Sequence, residues 1–251
     1  METRSDSISA GKLNAQDQEK KNQLLTMLFD SPIPKEELHL NLTLFLDRRL
    51  ISRVLFIDEI YRQILPVHGS IFEFGVRYGS NLSLFTSMRG IHEPFNHNRK
   101  IVGFDTFEGF VGVEPQMDGD AKSGDFAVTT GYETFLQNLL LQHERMAPLE
   151  NMRKFELVKG DASVTIESYL RDHQETIVSL AYFDFDIYKP TAACLKAIVP
   201  YLTKGSIIVF DECNDAAFPG ETAALREILG TNKFRLRHSP YRGNAAYLIY
   251  E

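Results

Sequence analysis

Leu180-Ala-Tyr-Phe-Asp-Phe-Asp-Ile-Tyr-Lys-Pro-Thr191 runs from an unbroken apolar, β-forming segment straight into acid, and the same shape returns in Gly205-Ser-Ile-Ile-Val-Phe-Asp-Glu212. Strands this apolar are buried on both faces, as in a parallel sheet. A carboxylate at the end of such a strand leaves water at a cost and needs a compensating partner. Open α/β sheets bind their ligands at the carboxyl ends of the strands. Asp184, Asp186, Asp211 and Glu212 gathered there are all oxygen donors with no sulfur or imidazole beside them. That set suits Mg²⁺, with Ca²⁺ or Mn²⁺ as alternatives, better than Zn²⁺. The plainer reading is that these acids cap helices or pair with Lys and Arg.

Outward from these two strands the chain alternates. Strands are expected over Ser70–Gly75, Lys100–Asp105, Phe155–Gly160, Val178–Asp184, Ser206–Asp211, Lys233–His238 and Ala245–Tyr250. Helices are expected over Asn81–Arg89, Tyr132–Arg145, Ser163–Arg171, Thr191–Leu202 and Glu221–Leu229, with Pro190 in a first turn and Gly230 at a C-terminus. Strict alternation predicts an α/β fold with a doubly wound, Rossmann-like seven-stranded sheet. Ser239-Pro-Tyr-Arg-Gly243 is too short for a crossover, so the last two strands form an antiparallel hairpin. Residues 107–131, rich in glycine and acid, read as a long loop over the strand ends, where lids sit.

Before the sheet, residues 1–22 are polar and read as a flexible tail. A helical pattern broken by Ser31-Pro-Ile-Pro34 fills 23–66 and predicts a helical cap over one end of the sheet, leaving 67–251 as the main domain. Leu44, Phe45 and Leu46 there suit a homo-oligomer contact or a lid.

Composition narrows the function. The net charge of −7, with no basic run, disfavours nucleic acid as a partner. No apolar run reaches the roughly 20 residues of a membrane span, and the N-terminus lacks a secretion signal, so the expectation is a cytoplasmic protein without a membrane partner. Cys194 and Cys213 form no CxxC pair, which argues against a zinc site or disulfide framework.

Three further segments carry chemistry. In Glu73-Phe-Gly-Val-Arg-Tyr-Gly-Ser80, Gly75 and Gly79 let backbone approach a ligand, or simply make a tight turn, while Glu73 in an apolar strand end would suit a cationic α-amino group. Asp105 ends the second strand, where an acid holds a ribose diol or forms a turn. Asp161 ends the third, where it either accepts from an adenine amine or caps a helix.

Together, Glu73-Phe-Gly-Val-x-x-Gly-Ser80, Phe104-Asp-Thr-Phe-Glu-Gly109, Gly160-Asp161, Asp184-x-Asp-x-Tyr-x-x-Thr191 and Asp211-Glu212 followed by Pro219-Gly220 resemble the macrocin O-methyltransferase (TylF-like) family. The resemblance spans about Ile71 to Leu229. It implies a class I, Mg²⁺-dependent methyltransferase that uses S-adenosyl-L-methionine on a sugar hydroxyl. It implies that Glu73, Gly75, Gly79 and Ser80 line the methionine part of the cofactor. Asp105 with Thr106 would hold the ribose, and Asp161 with Ala162 would flank the adenine. Asp184, Asp211 and Glu212 would hold the metal. Asp184 also borders the cofactor and serves as base in some members; Tyr132 and His143 are alternative bases borne by the lid. Two features depart from the family: Asp211-Glu212 stands where Asp-Asp is usual, and Thr129-Thr-Gly-Tyr-Glu-Thr134 replaces a lid motif rich in Trp, Lys and Asp. The rivals are an N-methyltransferase on an amino sugar, which needs no metal, and an NAD-dependent oxidoreductase, against which the missing GxGxxG argues.

Overall fold

The computed structural model describes residues 15–251, in two compact units that divide between Val54 and Leu55. In the first, α1 (Ala15–Phe29), α2 (Lys35–Leu38) and a 3₁₀ stretch His39–Phe45 lead into α3 (Arg48–Ile64). Residues 15–22, expected as tail, open α1; residues 1–14 of that tail lie outside the described residues. Asp47 starts α3 by accepting from the amides of Arg49 and Leu50, each at 2.9 Å. Leu40, Leu44 and Leu46 are exposed.

The second unit takes the rest of α3, so the boundary falls earlier than residue 66: Phe56, Ile57, Ile60, Tyr61 and Ile64 are fully buried. Its sheet has seven strands, β1 (Ser70–Phe74), β2 (Ile101–Asp105), β3 (Phe155–Lys159), β4 (Val178–Phe183), β5 (Leu202–Phe210), β6 (Arg237–Ser239) and β7 (Arg242–Ile249), in the order β3-β2-β1-β4-β5-β7-β6. The first five are parallel; β7 is antiparallel to both β5 and β6. The helices are α4 (Ser80–His92), α5 (Tyr132–Arg145), α6 (Ala162–Asp172), α7 (Tyr188–Ile198) and α8 (Gly220–Ile228). The expected architecture is therefore present.

Several boundaries differ from the expectation: α7 begins at Tyr188 rather than Thr191, β5 at Leu202 rather than Ser206 and β7 at Arg242 rather than Ala245. The helix expected to reach Leu202 stops at Ile198, because Pro200 in the 3₁₀ turn Val199–Tyr201 cannot supply a helical N–H, and Leu202 instead begins β5. The strand expected from Lys233 starts only at Arg237. Gly230 (φ +78°) closes α8 in the left-handed region, donating to the Leu225 carbonyl at 3.0 Å.

Period-2 alternation decides which residues meet which helices. Phe72, Phe74, Val102, Phe104, Ala181, Phe183, Ile208 and Phe210 share one face with α6, α7 and α8. Near the strand ends, Phe104, Phe74, Phe183 and Phe210 form a row of near-parallel stacked rings across four strands, with centroids 5.1, 4.7 and 5.4 Å apart. On the opposite face, Tyr182 meets Phe56 and Phe85. The carboxylates at the strand ends thus sit directly above a dry aromatic layer.

Candidate active site

The acids of the two opening segments converge at the ends of the neighbouring strands β4 and β5. Asp211 is buried and grips Arg242, which opens β7: the guanidinium Nε donates to Oδ1 at 2.9 Å and a terminal nitrogen to Oδ2. The Tyr182 hydroxyl also donates to Asp211 Oδ1. No described side chain donates to the carboxylates of Asp184, Asp186 or Glu212, and Glu212 Oε2 is buried without a hydrogen-bond partner among the described residues. Asp186 lies in the left-handed region at φ +63°, which aspartate enters more readily than most non-glycine residues.

These acids work against one another. Burial, then the charges of Asp211 and Asp186, push the Asp184 carboxyl well above the usual range. Burial and Asp211 push Asp186 up to about 7. Burial, Asp211 and Asp186 push Glu212 up to about 8. Arg242 counters this at all three carboxyls and Arg77 also does so at Asp186, but Arg242 is committed to Asp211. The donor set therefore fits a hard cation by its chemistry: all oxygen, an orphaned buried Glu212 atom, and negative charge in excess. Among the described residues no three donors are already drawn together as a coordination shell. A carboxylate offers about four lone-pair sites, so Asp211, with three donors on it, keeps one for a metal.

The other expected positions lie on the same rim but hold different partners. Gly75 (φ +93°) is required by its neighbour, since a Cβ would come within 2.0 Å of the Asp184 carbonyl oxygen. Gly79 (φ +77°) precedes Ser80, the first residue of α4. Glu73 is buried on β1, its Cα in register with Tyr182. Asp105 accepts from the amides of Val76 (2.6 Å), Arg77 (2.7 Å) and Phe107 (2.6 Å), so it braces the β1–α4 turn. Thr106 bonds its own loop, donating to the Gly109 carbonyl at 2.8 Å. Asp161 caps α6, accepting from the Ser163 amide (2.9 Å) and hydroxyl (2.6 Å) through one oxygen, with Ala162 buried behind it.

His143 is a correction. α5 leaves the rim at Tyr132 and carries His143 eleven residues along, about 17 Å at 1.5 Å per residue. It ends beside Glu144, which binds Arg89 and Lys154 next to the start of β3. His143 is therefore at the far edge of the sheet from the acids. Tyr132 does stand at the rim end of α5; its hydroxyl donates to the Tyr78 carbonyl at 3.1 Å, and burial, then Tyr78, raises its pKa.

The loop 107–131 is anchored rather than free. Asp118, fully buried, accepts from the Glu114 amide at 2.7 Å and the Tyr188 amide at 2.6 Å. Phe126 packs between Phe110 and Phe218, with the Arg77 guanidinium 4.8 Å from its ring centre. Asp118, Arg242 and Tyr182 were not identified from the sequence. Arg242 sits in a turn-like stretch, and only the strand order puts it against Asp211.

No protein-family model and no curated protein matches the chain. Solved structures do. The crystal structure of CalS11, calicheamicin methyltransferase, is 43% identical, covers 98% of this chain and 99% of its own, and superposes with a TM-score of 0.91. The apo structure of CalS11, described as a TDP-rhamnose 3′-O-methyltransferase of calicheamicin biosynthesis, is 41% identical over 96% of each chain, with a TM-score of 0.86. The O-methyltransferase NovP shares the fold at 14% identity and a TM-score of 0.58 over 92% of this chain and 98% of its own. A parallel sheet closed by an antiparallel seventh strand, with a glycine turn after β1 and acids at the rim, is a class I S-adenosylmethionine-dependent methyltransferase. Within that class, the chain belongs to the methyltransferase family that contains CalS11.

Proposed function

We propose that this enzyme transfers the methyl group of S-adenosylmethionine to a hydroxyl of a nucleotide-activated deoxysugar, within the macrocin O-methyltransferase branch. The observation that carries this reading is the 43% identity with CalS11 over nearly the whole of both chains, supported by the carboxylates of Asp184, Asp186 and Glu212 at the strand ends, to which no described side chain donates. The β1–α4 turn receives the donor: Glu73, Gly75, Gly79 and Ser80 on the methionine side, the Asp105–Thr106 loop at the ribose, and Asp161 with Ala162 at the adenine, where Asp161 has a second oxygen to offer.

Methyl transfer requires the acceptor oxygen in line with the sulfonium methyl at about 3 Å. The sulfonium is already activated; the alcohol is not. Asp186 is the residue we assign to the acceptor proton, because a carboxyl pushed up to about 7 is matched to proton removal at neutral pH. Asp184, Asp211 and Glu212 would hold Mg²⁺, which when bound supplies a Lewis acid for the acceptor oxygens. The aromatic layer beneath keeps water from the carboxylates and strengthens every charge above it. An N-methyltransferase would need no such acids, so the rim favours O-methylation.

The apolar residues of the first unit (Leu40, Leu44 and Leu46) suit a homo-oligomer, which light scattering of the purified protein would detect. No described helix is long and apolar enough to cross a membrane, and both cysteines are free, in keeping with a cytoplasmic enzyme. The deciding experiment incubates the protein with S-adenosylmethionine and TDP-rhamnose, with and without EDTA, and follows S-adenosylhomocysteine. Absence of turnover with Mg²⁺ present would reject the acceptor class. Full activity in EDTA would remove the metal.

A further inference from the structure

Glu221 is the second residue of α8 and has no exposed surface. It is a carboxylate buried among four other acids, with no ion-pair partner among the described residues, which is costly unless hydrogen bonds compensate. An acid in the first turn of a helix is ordinarily explained by that helix's own free amides. Glu221 does something else. Its Oε1 accepts from the amides of Phe185 (3.0 Å) and Asp186 (3.2 Å), and its Oε2 from the amide of Glu212 (3.2 Å). All three donors belong to the ends of β4 and β5.

We propose that Glu221 is a positioning residue that fixes Asp186 and Glu212 relative to each other, resting on the methyl-transfer reading above. One side chain spans the two strand ends and holds the backbone amide of each acid. The segment it holds turns sharply there: Asp186 passes through the left-handed region while its amide donates to Glu221. α8 is itself wedged at this point, since a Cβ on Gly220 would come within 2.4 Å of the Tyr188 amide nitrogen and 2.6 Å of Asp118 Oδ1. Glu221 therefore cannot drift without moving the carboxylates. Three amide hydrogen bonds compensate the burial of this acid, and an apolar residue in its place would leave all three donors without an acceptor. What it supplies is geometry. Its role lies on the acceptor side; the donor-binding turn after β1 is braced separately by Asp105.

The test compares Glu221→Gln and Glu221→Ala with wild type and with the surface control Glu175→Gln. For Glu221→Gln, kcat should fall about 10–100-fold, the range seen when the groups that orient site ligands are removed, while the dissociation constant for S-adenosylhomocysteine stays within about twofold. Glu221→Ala should fall further, and the glutamine variant should thereby show partial rescue. Amide hydrogen exchange supplies a readout independent of any acceptor: Phe185, Asp186 and Glu212 should be protected in wild type and exchange faster in both variants. Two outcomes would overturn the proposal: an unchanged kcat in folded variants, or wild-type exchange at these three amides that is as fast as in an open loop. The second applies even if neither variant folds. A wild-type enzyme that ignores TDP-rhamnose would reject the acceptor assignment without touching the exchange result.

Discussion

The two edges of this sheet handle buried charge in opposite ways. At the edge where the parallel strands begin, every large buried charge has a counterpart. Arg89 meets Glu144 at 2.5 Å and Lys154 meets it at 2.7 Å. Arg99 meets Glu93 at 2.8 Å and donates to the carbonyls of Val67 and Gly69. Burial works against ionising Glu93, but the hydrogen bonds from Arg99, Tyr61 and Asn96 outweigh it, so its carboxyl titrates below its usual value. At the edge where the strands end, Asp184, Asp186, Asp211, Glu212 and Glu221 face Arg242, and burial together with their mutual repulsion pushes Asp184, Asp186, Glu212 and Glu221 upward. The first edge is a brace with its charges balanced. The second keeps unbalanced charge in place, which is what a catalytic site requires and a brace avoids.

The largest effect should come from removing a rim acid. Asp186→Asn is expected to lower turnover about 10²–10⁴-fold, the usual contribution of a positioned proton acceptor, while the protein stays folded by circular dichroism. The same substitution should leave the variant more stable than wild type at pH 8. Asp186 is raised from 3.8 to about 7 in the fold, so its contribution to stability is full below about 4 and is lost as pH rises through 7. Thermal melts of the two proteins at pH 5 and pH 8 check the sign. A variant equally destabilised at both pH values would mean that the rim is a brace as well.

At the opposite edge the expectation reverses. Glu144→Gln leaves Arg89 and Lys154 buried with reduced compensation and should destabilise by about 3–5 kcal/mol, as broken buried ion pairs do. Turnover per folded molecule should stay near wild type in urea-calibrated samples. A selective loss of kcat would erase the contrast between the edges.

A smaller effect separates charge from chemistry. If the rim binds Mg²⁺, a hundredfold excess over its dissociation constant stabilises the fold by about 2.7 kcal/mol. The rise in Tm should be greater at pH 8 than at pH 5, because protons compete for the same oxygens. No shift at pH 8 would mean that Arg242 and Arg77, rather than a metal, offset the negative charge of the site. Smallest of all, Asp118→Asn should raise the acceptor KM severalfold with little change in kcat, since it weakens two hydrogen bonds worth roughly 1 kcal/mol each, one within the loop to Glu114 and one that ties the loop to Tyr188.

Much of this architecture was legible in the chain. The apolar runs and their acid endings located the central strands β1, β2, β4 and β5, because a strand buried on both faces leaves no polar alternation to confuse it; β3, half-buried at the sheet edge, was marked by the Gly160-Asp161 turn that follows it. The start of β6 differed because Lys233–Leu236 carries a weak local preference that packing overrides, whereas at the end of α7 Pro200 is itself the local signal that stops the helix. The site was legible as a set of acids but not as a set of partners. Asp105 and Asp161 stood at the right strand ends, yet their hydrogen bonds to Val76, Arg77, Phe107 and Ser163 could not be told from ligand contacts by position alone. His143 lay within reach of the site in sequence terms, and only the direction of α5 carried it away.

The sequence by itself determined the parallel sheet and the acids at its strand ends, because burial and backbone alternation act on neighbouring residues and leave a local pattern. Tertiary structure decided that Arg242 would reach Asp211, that Glu221 would hold Asp186 and Glu212, and that His143 would stand at the far edge. Those pairings join residues 9 to 36 positions apart or depend on the direction of a whole helix. Strand order and helix direction fix them, and no local pattern of side chains encodes either.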